Sequence, residues 1–126
     1  MLIELQTEDR IRLTAGPGGF AFEAGENGAQ LSPFHLLAAS LATCTYSVLH
    51  TWAHTAGLAL EGLAIDVSWE IGGDPYRVTA MEMMLDWPAL PPERRGAARR
   101  AAAQCTVHAT LEHGSAVATR VRDGAR

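Results

Sequence analysis

Cys44 and Cys105 are the side chains in this chain best suited to chemistry, and they are its only thiols. Cys44 lies in LSPFHLLAASLATCTY, an apolar stretch entered through Ser32-Pro33. Cys105 lies in AAAQCTVHATLEHG, near the end of a second predicted helix. Either cysteine alone reads as a small buried hydrophobe. As a pair on two separate helices they are better candidates for thiol chemistry than either is alone. A thiolate needs a nearby cation, a base or a helix N-terminus.

The helix around Cys44 supplies none of these. Cys44 sits about three turns in, too deep for its own helix dipole. At about 100° per residue, His35 lies roughly 180° away, His50 about 120° and His54 about 80°. The chain has no lysine, and no arginine occurs between Arg12 and Arg77. The activating charge must therefore arrive from Arg10, Arg12, Arg77, the second helix or another subunit. Cys105 has a closer companion, because His108 follows at i+3 on the same predicted helical face. Three readings stand for this pair. It is a thiol with its base, or half of a zinc site completed by His50 and His54. Alternatively, the histidines are favourable partial charges near helix C-termini. CxxC, HExxH, GxGxxG and GxSxG signatures are absent from the sequence.

The elements that must position these residues follow from pattern. The chain has 126 residues, 48% of them hydrophobic, which fits a single domain over residues 1–126 with a modest core. A net charge of −4 argues against a nucleic-acid surface. The MLIELQTEDR start is too short and acidic for a signal peptide, and the apolar stretch from Leu36 to Ala53 carries too many hydroxyls for a membrane span. The expected compartment is the cytoplasm, where a disulfide is transient rather than structural.

Met1 to about Ala24 alternates loosely around TED and GPGG and predicts short antiparallel strands. Ser32 as N-cap, Pro33 at the first position and Gly57 at the end delimit a helix from Pro33 to Ala56. Its first two-thirds is apolar on nearly every side, so burial all round is expected. A chain of this size can hardly wrap such a helix, which implies a second subunit. Leu63, Ile65, Val67, Trp69 and Ile71 alternate with polar or small residues, giving a half-buried strand. Gly72 to Pro75 turns the chain into a second strand with Met81, Met83, Leu85 and Trp87 on one face, and a bulge near Val78. Pro91-Pro92-Glu93 opens a second helix that runs to about His113, and Ala116 to Val121 reads as a last strand. The order βββ-α-ββ-α-β is that of an α+β fold.

SPFHLLAASLATC (32–44) resembles the helix motif of the OsmC/Ohr family, proteins of osmotic induction and organic-hydroperoxide resistance. The resemblance continues through GLALEGLAIDVSWE, PALPPE and QCTVHATLEHGSAV, and covers roughly residues 30 to 121. It implies antiparallel sheets packed around two long helices in an intertwined homodimer, with sites at the subunit interface. It further implies that Cys44 attacks a small organic hydroperoxide and that Cys105 resolves the sulfenic acid as a disulfide, which a dithiol reductant opens. No cofactor and no metal are implied. Active members carry a glutamate just after the helix-opening proline, holding an arginine on the reactive sulfur. Phe34 and His35 occupy those positions here, and Thr106 stands where a proline usually follows the second cysteine. Arg10 and Arg12 are the candidate arginines, and His35, Phe34 and His108 are candidate pocket or activating groups. The alternative function is non-catalytic: an apolar interface pocket, with Phe34 and Trp52 in its lining, holds a small lipophilic ligand.

Overall fold

A computed structural model describes residues 2–7, 10–14, 21–25 and 32–124, the first three segments by their backbone. Two compact units divide the chain, Met1–Leu37 and Ala38–Arg126. The first holds an antiparallel meander of β1 (Leu2–Thr7), β2 (Arg10–Thr14) and β3 (Ala21–Gly25). Its register places Arg12 between Glu4 and Glu23.

Helix α1 (Pro33–Ala56) begins in the first unit and continues through the second. Ser32 caps it: its Oγ accepts the His35 N–H at 3.2 Å and lies 2.7 Å from the His35 Nδ1. That satisfies one of the orphan donors every helix start leaves. At the other end Gly57 takes φ +68°, with Gly57 N–H bonded to the His54 carbonyl and Leu58 N–H to that of Ala53. This crossed pair is a Schellman ending, and only glycine adopts its left-handed turn without strain. Burial within the chain follows one stripe, Ala38, Leu41, Thr45, Leu49 and Ala53, at the three- and four-residue spacing of a helix face. Ala39, Tyr46 and His50 on other faces are exposed. The all-round burial expected from composition is thus not met inside one chain.

The hairpin of β4 (Ala64–Gly72) and β5 (Arg77–Asp86) alternates half-buried and exposed positions, as its sequence requires. Glu70 faces Ala80 while Ile71 faces Val78, so Thr79 is the extra residue of a bulge. Thr45 Oγ1 donates to the Met83 sulfur at 3.4 Å and ties β5 to α1. The core gathers Leu49, Ala53, Trp87, Ala98, Ala101 and Ala102. Trp87 meets Trp52 edge to face at 6.1 Å and donates its Nε1–H to the Ala59 carbonyl at 2.8 Å, so its polar atom is satisfied inside the core.

Two expectations fail. The second helix is broken: a 3₁₀ turn over Pro92–Arg94 leads into α2 (Arg95–Ala102), and α3 (Thr106–His113) starts afresh three residues later. The alanine run packs flat on the core, but Gln104 to Val107 carries no such stripe, and β-branched Thr106 and Val107 are weak helix formers. The last strand is also absent: Ala116 to Val121 has no regular structure, and Val117 and Val121 are 88% and 91% exposed. A strand exists only when paired, and this segment pairs with neither sheet of the described residues. None of the described helices is long and apolar enough to cross a membrane.

Candidate functional site

The site lies where α1 meets the start of α3. Cys105 is not inside a helix. It is the N-cap residue of α3, with an extended backbone (φ −61°, ψ 130°), and its fully buried sulfur accepts the His108 N–H at 3.4 Å. A cysteine here does what serine or threonine does at other helix starts. The reading of Cys105 and His108 as neighbours on one helical face is corrected accordingly: they are N-cap and N3, linked through the main chain.

Cys44, half-buried on α1, faces this helix start. Its thiol is lowered below the ordinary thiol range, first by a hydrogen bond with the Cys105 side chain and next by the Val107 N–H. Burial opposes the shift, and the Thr106 N–H adds to it. The physical logic is that of an anion at a helix N-terminus, where unpaired N–H groups and the positive end of the dipole favour negative charge. The two cysteines are free thiols. The fold therefore brings together two sulfurs and two main-chain donors, an arrangement that can hold a thiolate on Cys44 and a second thiol beside it.

The other candidates lie apart. Arg10 and Arg12 sit on β2, and their side chains fall outside the described residues. The Arg77 guanidinium folds onto its own hairpin, donating to the Pro75 carbonyl at 2.9 Å. Phe34 is half-buried and His35 is engaged with the Ser32 cap. His50 lies 6.0 Å from the Tyr46 ring, and His54 is exposed. Among the described residues no three His, Cys, Asp or Glu side chains converge as metal donors, which removes the zinc reading of His50, His54, Cys105 and His108. His108 Nε2 instead lies 2.9 Å from Glu112 Oε1. Trp52 packs against Trp87 in the core.

The donors missed in the sequence are the Thr106 and Val107 amides. Main-chain donors have no side-chain signature, and a cysteine is not among the usual N-cap residues, so the pattern pointed to neither amide. A cleft of about 1280 Å³ opens beside the pair, lined by Met81, Met83 and Leu85 of β5, Ala98 of α2, and His108 and Leu111 of α3.

The family model for OsmC-like proteins matches residues 25–120, which include both cysteines. The chain belongs to the OsmC-like family. Solved structures share its fold. A protein of Psychrobacter arcticus 273-4, assigned to osmotic stress induction and the detoxification response, is 20% identical with a TM-score of 0.74, over 86% of this chain and 85% of that one. An OsmC-like hydroperoxide resistance protein of Jannaschia sp. CCS1 is 19% identical with a TM-score of 0.60, over 97% and 90%. An OsmC-like protein of unknown function from Vibrio cholerae is 13% identical with a TM-score of 0.53, over 75% and 74%. No protein of curated function matches the chain. The family accounts for the α+β class read from the sequence.

Proposed function

We propose that this OsmC-like protein is a thiol-dependent reductase of small organic hydroperoxides, with Cys44 as nucleophile and Cys105 as resolving thiol. The observation that carries the reading is the Cys44 sulfur, held beside Cys105 and the Val107 and Thr106 amides and lowered below the ordinary thiol range. The Cys44 thiolate attacks the terminal oxygen of the hydroperoxide. The O–O bond breaks, Cys44 becomes a sulfenic acid, and the alkoxide takes a proton to leave as alcohol. The Cys105 sulfur then displaces hydroxide from the sulfenic sulfur, giving a disulfide and, with the thiol proton, water. A dithiol reductant returns both thiols and leaves as its own disulfide. With Phe34 and His35 where active members carry the glutamate, the start of α3 supplies electrostatic support to Cys44.

The working unit in this reading is a homodimer in the cytoplasm. Support comes from the open face of α1 and from the exposed Val117 and Val121, whose alternation suits a strand completed by a second copy. Cys44→Ser should abolish hydroperoxide consumption with a dithiol donor; undiminished turnover would remove the nucleophile. Cys105→Ser should complete one sulfenic acid and stall before the disulfide. A second reading, binding of a lipophilic ligand, is favoured by one observation: neither cysteine lines the methionine-rich cleft. Native mass spectrometry of the purified protein separates the two readings, because a retained apolar ligand with no peroxide turnover supports binding alone.

A further inference from the structure

Resolution requires the Cys105 proton to leave. In the reduced protein this thiol shares a hydrogen bond with Cys44, while its sulfur accepts the His108 N–H. When Cys44 becomes sulfenic, its thiolate no longer accepts that proton. The His108 ring stands at N3 of the same helix, where side chains lean back toward the N-cap. Glu112, a carboxylate acceptor, lies 2.9 Å from Nε2, so in the neutral ring Nε2 carries the hydrogen and Nδ1 keeps a free lone pair. Nδ1 is buried and has no hydrogen-bond partner among the described residues. A buried acceptor left without a donor costs free energy in a resting fold, and such atoms call for a functional explanation.

Resting on the proposed redox reading, we infer that His108, oriented by Glu112, is the base that takes the proton of Cys105 during disulfide formation. Nδ1 accepts the thiol proton, the Cys105 sulfur attacks the Cys44 sulfenic sulfur, and the S–O bond breaks. The imidazolium then returns the proton to the departing hydroxide as water. No net charge or proton remains on the ring. The charged groups sharing its cleft are Glu82 and Asp86 on β5 and Arg95 and Arg99 on α2, with Glu112 on its own helix.

The test bypasses hydroperoxide altogether. Cys44 of the full chain is loaded with a methylthio group by a methanethiosulfonate, and release of methanethiol by Cys105 is followed across pH. His108→Gln, which keeps a donor toward Glu112, should slow release about tenfold or more at neutral pH, the lower end of general-base effects. The deficit should shrink as pH rises and hydroxide replaces the ring as the base. Glu112→Gln, an exposed change that leaves the fold intact, should give a smaller loss in the same direction. Equal rates and equal pH profiles in parent and His108→Gln overturn the base. No release from the parent protein overturns the resolving role of Cys105, and with it this inference. Release from the parent that is slowed by His108→Gln, beside an inert response to hydroperoxide, leaves the base standing and removes only the peroxide substrate.

Discussion

Thr106→Pro isolates the helix-start contribution to the reactivity of Cys44. Position 106 is N1 of α3, where proline is tolerated because its missing N–H serves no helical bond. The preceding Cys105 already has the extended backbone that a residue before proline requires. The substitution therefore deletes one donor to the Cys44 sulfur and leaves the Val107 N–H and Cys105 in place. A hydrogen bond to a charged group is worth about 1.5–3 kcal/mol. Cys44 is half-buried, and its Thr106 donor is the weakest of the causes that lower it, so screening brings the figure to about 0.7–1.4 kcal/mol. At pH below the ionisation of Cys44 that is about three- to tenfold less thiolate. A more basic thiolate is also a better nucleophile, with a Brønsted slope of about 0.4–0.5, so the net loss of rate is about two- to fourfold. On the alkaline plateau, where both proteins are fully ionised, the sign inverts and the variant reacts about two- to threefold faster. Alkylation of Cys44 by bromobimane across pH reads both limbs, with Thr106→Ala as the control that keeps the amide. Superimposable profiles for the proline and alanine variants would refute the helix-start account.

Leu49 is fully buried at the centre of the α1 stripe, and Leu49→Ala should cost about 2–5 kcal/mol in urea unfolding; an unmoved midpoint contradicts the assigned core. Cys44 is lowered in the fold, so the folded state binds its proton less tightly than the unfolded chain. Its stability contribution is complete above the ordinary thiol range and disappears as pH falls through the lowered value. Under reducing conditions the stability gap between parent and Cys44→Ser should widen as pH rises across that window, and a flat gap counts against the thiolate. Truncation before Ser115 should turn the proposed dimer into monomer in sedimentation, and an intact dimer would show that the tail is not the exchanged element.

Elements whose stability is local were legible in the sequence. Ser32, Pro33 and Gly57 mark α1 because caps and left-handed turns are encoded by single residues. The alternation of Ile65, Val67 and Trp69 and the offset at Val78 foretell the hairpin and its bulge. What was misread depends on partners. Composition cannot tell a helix buried on every side by its own chain from one with a face left for another molecule. The alternating tail reads as a strand whether or not an edge receives it. The break before Cys105 was hidden by an alanine-rich run that extends the helical pattern up to Gln104. The thiol pair could be named from the sequence, but the groups acting on Cys44 could not, because they are main-chain amides with no side-chain signature.

The interruption at Ala103 to Cys105 sets an exclusive choice for the backbone. In an unbroken helix the amides of Thr106 and Val107 would point to the carbonyls of Ala102 and Ala103. Here the Ala102 carbonyl is taken by the Cys105 N–H at 3.3 Å, which closes α2 one residue early and releases those two amides sideways toward α1. Mutations that heal the gap while keeping both cysteines, such as helix-favouring replacements of Thr106 and Val107, would draw these amides into the helix and away from the sulfur on its neighbour. A more stable variant of this protein, if obtained by that route, should be a less reactive one.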